Sequence, residues 1–594
     1  MLRSSKPRAT TVPRNPTVDA VDVACNGYTP PLPAEEIKTL EALYHSLGGP
    51  EWHIKKNWMK SSNPCGSSGI VGDSWYGVEC ETFGGSPFSE HLSSHVTGLS
   101  LPQNHLVGKP PRLDGLPHLL NVDFSSVGSS VSQDFGNSVG GSLDALCGLG
   151  NLSTAQLTGN NLTGSIPYCI QSLTNVKTLE LAYNGIGGSM PDEICRVRSL
   201  EDRILSVNAL TGTLPSCLGN LSQLAVLRLE INQFHGSIPE ELCQANALQE
   251  LVLSDNALTG TLPSCLGHLS LLKELILGIN PFHGPIPEEL CQASVLGILY
   301  LSDNALTGIL PSCLGSLSQL TELNLFNNQF HGAIPEELCE ASALDILHVS
   351  DNALTGTLPS CLGSLSQLVT LDLYTNQFHG PIPEELCKAS ALEGLDLLEN
   401  ALTGIIPSCC LGNLSQLEDL ELSTNQFHGL IPEELCQASA LEGLYLSDNA
   451  LTGTIPSCLG DLSQLLHLNL DINQFHGAIP EELCEASALE ALVLSKNALT
   501  GIIPSCLGNL SQLTDLELSI NQFHDPIPEE LCQASALEYL FFVQQCIDEK
   551  HSQLPGNFVS SSSGDAIARQ QSHRCIAVRM GVAIPCEHCF VEQP

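Results

Sequence analysis

The side chains in this sequence that could do chemistry stand in rows. One row is His235, His283, His331, His379, His428, His476 and His524, set 48 residues apart except for one step of 49. Zinc needs its ligands ~2 Å from one centre, whereas residues two repeat turns apart sit ~10 Å from each other. The row therefore cannot chelate one ion and reads as structural filler. A second row is Cys217, Cys265, Cys313, Cys361, Cys458 and Cys506, alternating with Cys243, Cys291, Cys339, Cys387, Cys436, Cys484 and Cys532. Its members fall at two alternating offsets, so neighbours differ by two positions as well as by one turn. That puts them near or beyond the Cα separation that a disulfide spans. The expectation is buried free thiols acting as small apolar groups, which points to a reducing compartment.

Catalytic constellations are weak. His348, Ser350 and Asp351 lie close together, but Ser254-Asp255 and Ser447-Asp448 repeat the Ser-Asp pair without the histidine. A hydrolase triad is not expected from residues that recur for other reasons. No P-loop, kinase signature or HExxH occurs. The tail carries Cys575, Cys586, His588 and Cys589, and one CxxC is a faint zinc signal beside the reading of an unstructured tail. No catalytic residue, metal or cofactor is expected.

Carboxylates interleaved with aromatic rings are a stronger signal. They are Tyr300, Asp303, Glu322, Phe326, Asp351, Asp372, Tyr374, Asp396, Glu399, Asp419, Glu421, Tyr445 and Asp448, with Arg228 and Lys496 as the basic exceptions in the same positions. The whole chain has 64 acidic and 22 basic residues, a net charge of −42. Such a surface repels phosphate backbones and anionic lipid. It suits a cationic, partly apolar protein or peptide ligand held by ion pairs and cation–π contacts. A merely solvated acidic face is the alternative.

What positions these groups is an asparagine every 24 residues, from Asn160 to Asn400, resuming after one inserted residue from Asn425 to Asn521. Around each the frame reads LxxLxLxxNxLxGxIPxxLxxL, in about nineteen turns counting degenerate ones. The xLxL piece alternates with period two, so it is a short strand with its leucines inward. The candidate residues then lie on its outward side, at positions six, four, two and one before the Asn. The Asn amide bonds backbone groups of the bend, Gly permits a tight turn and Pro suits a bend with no free N–H. One turn cannot bury its leucines, but a stack of turns can. From Asn208 onward the turns alternate between NALTG and NQFHG types, so the duplicated unit is 48 residues.

The segment Leu258-Thr259-Gly260 followed by Leu262-Pro263, and its copies between Val96 and about Phe542, resembles the plant-type leucine-rich repeat. That family includes receptor-kinase ectodomains, receptor-like proteins and polygalacturonase-inhibiting proteins. The resemblance implies an α/β-type repeat solenoid, a superhelix with a parallel concave β-sheet and a short extra strand per turn. Trp52, Trp58 and the segment Trp75-Tyr76-Gly77-Val78-Glu79-Cys80 resemble the family's N-terminal cap, which implies a Cys65–Cys80 disulfide. Pro33 to Leu47 reads as an amphipathic helix of that cap.

The expected organisation is a basic, disordered segment over 1–32, the cap over 33–95, repeats over 96–545 and a poorly capped tail over 546–594. The first residues carry no apolar core of a secretory signal, and no stretch is long enough for a membrane span. Against the thiols stand five glycosylation sequons, at Asn151, Asn161, Asn220, Asn413 and Asn509. The resemblance favours the extracellular side, with a cytoplasmic location as the alternative. It implies a non-enzymatic recognition module, receptor-like or inhibitor-like in signalling or defence, with a possible membrane-bound co-receptor. The alternative is a structural or adhesive protein acting by self-association or cation binding.

Overall fold

Each turn of the chain is closed by its asparagine. The side-chain Nδ2 of Asn256 donates to the carbonyls of Leu229 (3.1 Å), Leu253 (3.1 Å) and Ser254 (3.2 Å), while its Oδ1 accepts from Phe234 N–H at 2.9 Å. Two of these four partners belong to the preceding turn, so the same amide shapes its own bend and fixes the register of its neighbour. The pattern repeats at Asn280, Asn328, Asn352 and Asn376. Buried backbone groups left without partners would each cost about 1–3 kcal/mol.

The computed structural model describes residues 32–61, 63–66, 74–83, 93–126, 136–408, 414–524, 527–534, 536–543 and 577–578. The chain divides into two units, residues 1–186 and 187–594.

The first unit begins with the helix Ala34–Ser46, which buries Leu40, Leu43 and Tyr44. Tyr44 meets Trp52 edge-on and stacks on Trp58, which in turn touches Trp75. Their indole N–H groups donate to backbone carbonyls, Trp52 to Leu47 and Trp58 to Tyr76, both at 2.8 Å. Cys65 and Cys80 are disulfide-bonded, with Cα atoms 5.7 Å apart. Buried Glu36 ties the helix to the sheet by accepting from Val96 N–H at 2.8 Å and bonding His95 Nδ1 at 2.5 Å. The strand Val78–Phe83 pairs antiparallel with Ser93–Ser100, and Asn121–Asp123, Thr154–Gln156 and Thr178–Glu180 follow in parallel.

The second unit is a leucine-rich-repeat solenoid. Its main parallel sheet runs from Asp202–Ile204, Val226–Arg228 and Glu250–Val252 turn by turn to Tyr539–Val543. Short strands after each Asn, such as Gln377–Gly380 and Ala401–Gly404, pair in parallel beside it. A 3-10 helix, such as Glu384–Lys388, completes the turn. The inward leucines are fully buried, and so are Phe234, Phe282, Phe330, Phe378, Phe427 and Phe475 of the NQFHG turns.

Three expectations need correcting. The histidine row is not filler: in each NQFHG turn the phenylalanine fills the core and the next residue, the histidine, is exposed. The cysteine row is not a set of free, buried thiols. Cys195–Cys217, Cys243–Cys265, Cys291–Cys313, Cys339–Cys361, Cys436–Cys458 and Cys484–Cys506 are disulfides with Cα atoms 5.8–5.9 Å apart. The two-position offset brings each pair together instead of separating it, because the cysteines sit at different points of successive 3-10 helices. The reverse step, from an NALTG turn to the next NQFHG turn, uses glycine: a Cβ on Gly363 would lie 1.7 Å from the Glu385 carbonyl. Disulfide and close glycine contact thus alternate, and both follow the 48-residue duplication.

Third, the residue just before each Asn is not on the strand. It takes a left-handed backbone, with φ of 51–56° at Ile231, Asp255, Asp303, Asp351 and Glu399. Isoleucine disfavours this region. It is held there because Ile231 N–H donates to Ser254 O and Asn232 N–H to Asp255 O of the next turn, at 3.0 and 3.1 Å.

One core position breaks the pattern. Arg203 occupies the inward site where the adjacent strand has Leu227, and it is 0% exposed. Its Nε and Nη2 have no hydrogen-bond partner, and Nη1 reaches only Met190 Sδ at 3.9 Å. Burial pulls its pKa down to about 9.

Two stability measurements test this picture. Replacing Arg203 by Leu removes a buried unpaired cation and is expected to raise unfolding stability by about 2 kcal/mol in urea titrations; a loss would mean the guanidinium has a compensating partner. The double change Cys339→Ser and Cys361→Ser opens a loop whose ends are 22 residues apart. It is expected to cost about 3 kcal/mol, and no change would mean that the pair is reduced in the native protein.

Candidate functional site

The strands of the second unit pair in register, so equivalent residues form columns across the outward face. Four residues before each Asn the column reads Tyr300, Asn324, His348, Asp372, Asp396, Glu421, Tyr445 and Asn469. Three consecutive carboxylates, Asp372, Asp396 and Glu421, therefore stand one strand spacing apart, ~4.8 Å. Burial is the main influence on their protonation, and the charge of Asp396 adds to it at Asp372 and Glu421.

Burial, reinforced by the charge of Asp396, pushes the Asp372 carboxyl up to about 6 from its ordinary 3.8. Asp396 is raised by burial and eased by accepting the Leu398 N–H at 3.0 Å. Glu421 is raised by burial too, eased by the Ser423 N–H at 2.8 Å.

Aromatic groups frame this acid row on both sides. Phe326 lies 5.0 Å from His348 and 6.1 Å from Tyr374, and His348 lies 6.0 Å from Tyr374, all between ring centroids. Burial lowers the His348 pKa, and its Nε2 has no hydrogen-bond partner. The Ser350 hydroxyl has none either, so no proton relay links His348, Ser350 and Asp351. On the other side Tyr445 stacks with His467 at 6.1 Å. Gly443 makes room there: a Cβ would lie 2.4 Å from Asp419 Oδ1 and 2.6 Å from Tyr445 Cε2.

The remaining candidates flank this centre. Tyr300 donates its hydroxyl to Glu322, and burial with that bond raises its pKa. Asp303, Asp351, Glu399 and Asp448 sit on the left-handed corners, three residues past the ends of their strands. Asp303 accepts from Asn327 Nδ2 at 2.8 Å and Glu399 from Thr375 Oγ1 at 3.3 Å. Basic residues on the face lie outside the stretch and are already paired. Arg228 bonds Glu250 at 2.6 Å and approaches Glu274 at 3.7 Å, while Lys496 approaches Asp471 at 3.7 Å.

Two features escaped sequence reasoning. His348 belongs to the aromatic cluster, and its place in the column is readable from its spacing to Asn352. Gly443 is the other, and only coordinates show that a side chain there would collide with its neighbours.

Among the described residues, one group of metal-type ligands comes together, Asp144 with Cys147 and Cys169. The two sulfurs are bonded to each other, so they are not thiolates that could hold an ion. Also among the described residues, no helix is long and apolar enough to cross a membrane. The tail residues Cys575, Cys586, His588 and Cys589, and the sequon at Asn413, lie outside the described residues.

Comparison with known proteins agrees with this architecture. The Leucine Rich Repeat family model matches residues 247–269, 296–317, 319–341, 343–365, 367–389, 416–438, 440–462 and 488–510. No curated protein matches the chain by sequence. The ectodomain of the Arabidopsis thaliana receptor kinase GASSHO1/SCHENGEN3, solved with CASPARIAN STRIP INTEGRITY FACTOR 2, is similar at 35% identity and TM-score 0.64. The match covers 72% of this chain and 53% of that one, so the chain spans about half the length of that relative. The Arabidopsis receptor kinase HAESA, solved with the peptide hormone IDA and the co-receptor SERK1, is 30% identical with a TM-score of 0.66. There the match covers 86% of this chain and 90% of that one. The plant peptide hormone receptor RGFR1, solved with RGF2, is 28% identical over 79% and 83% of the two chains, with a TM-score of 0.66.

The raised Asp372 pKa has a checkable sign. Its native value lies above its unfolded one, so the native state keeps a proton that the unfolded chain releases. Stability from this group is full below its ordinary 3.8 and is lost as pH rises toward about 6. Asp372→Asn is therefore expected to flatten the fall in stability between about pH 4 and about pH 6 by about 1–2 kcal/mol. An unchanged slope in paired urea titrations would show that Asp372 ionises normally.

Proposed function

The chain belongs to the plant-type leucine-rich-repeat proteins, and from that premise we propose that its strand face between Tyr300 and Asp448 binds a cationic, partly apolar peptide in a receptor-like role. The observation that carries this reading is the row Asp372, Asp396, Glu421 set between the Phe326–His348–Tyr374 cluster and the Tyr445–His467 stack. A guanidinium or ammonium laid along the row would relieve the repulsion among the three carboxylates. Flanking rings would hold its aliphatic stem and neighbouring apolar side chains. Because the strands are rigidly registered, little ordering is needed on the protein side when the peptide docks.

Similar proteins support the class of ligand. Those solved with peptide hormones present the same kind of scaffold, and HAESA was captured with both a peptide and a co-receptor. A membrane-bound co-receptor is accordingly the second partner in this reading. The disulfides between turns fit an oxidising, extracellular setting.

Calorimetry with a panel of short synthetic peptides tests the proposal. Each peptide carries an Arg or Lys beside an apolar residue, and each is matched by a copy with Gln in place of the basic residue. Basic members are expected to bind and Gln members not. The double reversal Asp372→Lys and Asp396→Lys should weaken binding at least about tenfold, since a close charge pair is worth more than about 1.4 kcal/mol. Equal binding of both panel halves, or indifference to the reversal, would remove the acid row from recognition.

A further inference from the structure

The short strands after each Asn form a surface that peptide binding leaves unused. Eleven of them, from His283–Gly284 to Gln522–Phe523, pair into one side sheet. In the ten turns from Asn280 to Asn497, the five residues that follow the Asn include no Asp, Glu, Lys or Arg. Carboxylates flank that strip along the chain. Those of the main strands precede it, and exposed pairs such as Glu336–Glu337 and Glu384–Glu385, which open the 3-10 helices, follow it. A chain of net charge −42 thus carries a long strip with no carboxylate in it.

Five residues after the Asn, the strip bears a row of exposed apolar side chains. Ile309, Ile405, Leu430 and Ile502 are 51–62% exposed, and Pro285 and Pro381 are exposed in the same row. Pro381, Ile405 and Leu430 follow one another in successive turns. Each lies over the glycine of the next turn: a Cβ on Gly404 would be 3.2 Å from Pro381 Cβ, and one on Gly429 3.0 Å from Ile405 Cγ2. Glycine there lets the side chains lie down as a ridge. Single exposed apolar residues are ordinary on a protein surface, whereas a contiguous row marks a docking surface.

Whatever docks must match the row's spacing and length. Ten turns at ~4.8 Å extend ~48 Å, and five extended residues span ~16 Å. The strip thus offers roughly 800 Å², the area that one partner contributes to a standard interface. A partner must present apolar groups every ~4.8 Å over that length, and another copy of the same strip does so. We propose that two copies of this chain pair through the strip as a symmetric dimer, ridge against ridge, with the acidic flanks left at the rim. Such a pairing closes on itself, because the same patch serves both copies. No residue of the strip belongs to a main-sheet strand, so both strand faces stay open and the inference does not depend on the peptide site.

Sedimentation velocity on the full-length protein tests this. A monomer–dimer equilibrium is expected across a concentration series, and added salt should strengthen it, since screening relieves repulsion between the acidic rims. Ile405→Glu together with Leu430→Glu is expected to weaken the dimer at least about tenfold. The milder pair Ile405→Thr and Leu430→Thr guards against a folding defect, because Thr357 and Thr454 already occupy the same row. It should weaken the dimer too. The double reversal Asp372→Lys and Asp396→Lys is expected not to weaken it. A monomer at every concentration and salt level overturns the proposal and leaves the strip to a different protein. A dimer that both ridge variants retain, or that salt or the charge reversal abolishes, overturns it as well and moves the contact off the ridge.

Discussion

Everything in the second unit depends on a hydrogen bond made by an amide side chain at a corner. A strand that ends in open space leaves carbonyls that water would have to satisfy. Here one Asn side chain takes three of them, two from its own turn and one from the turn before, and returns an acceptor to that earlier turn. Because the bond crosses between turns, it makes the spacing of turns a property of backbone geometry. Leucines then follow, since a chain returning every 24 residues has one inward side that must be filled. The register that lines up Asp372 with Asp396 and Glu421 is the same register seen from outside.

A second constraint operates between pairs of turns. Close glycine contact joins an NALTG turn to the next turn, and a disulfide joins an NQFHG turn to the one after it. Neither joint could be copied alone without leaving an unpaired cysteine or an unfilled contact. The duplicated length of 48 residues is therefore the smallest piece that can be inserted with both joints intact. It follows that the cysteines and glycines recur because packing needs them, and that residues which vary between repeats, on the strand face and at the ends of the 3-10 helices, carry the individuality of this chain.

How much was legible in the sequence follows from which interactions are periodic. Asn256, its leucines and Gly260 repeat in step, so strand, corner and turn were readable, and with them the columns of the candidate site. The αL corner at Ile231 was not, because isoleucine alone argues against that conformation and only hydrogen bonds from the next turn impose it. The disulfide Cys243–Cys265 was misjudged because counting positions along the chain treats successive 3-10 helices as stacked squarely, while their true offset cancels the difference in position. Arg203 could be placed inside by spacing, but nothing in the sequence says that it lacks a partner.

The acid row ties the two themes together. Placing Asp372, Asp396 and Glu421 at adjacent strand positions costs the free protein, since burial raises the pKa of all three and the charge of Asp396 adds to the shift of Asp372 and Glu421. A small globular core would relax around such repulsion by letting side chains or strands drift apart. A registered stack cannot, since moving one strand would break corner amides in two turns. The repulsion is therefore retained, and it is relieved only when a cation arrives or a proton binds. A scaffold whose spacing is fixed by backbone hydrogen bonds far from the face can hold an unfavourable charge arrangement there, and the proposed preference for a cationic ligand rests on that arrangement.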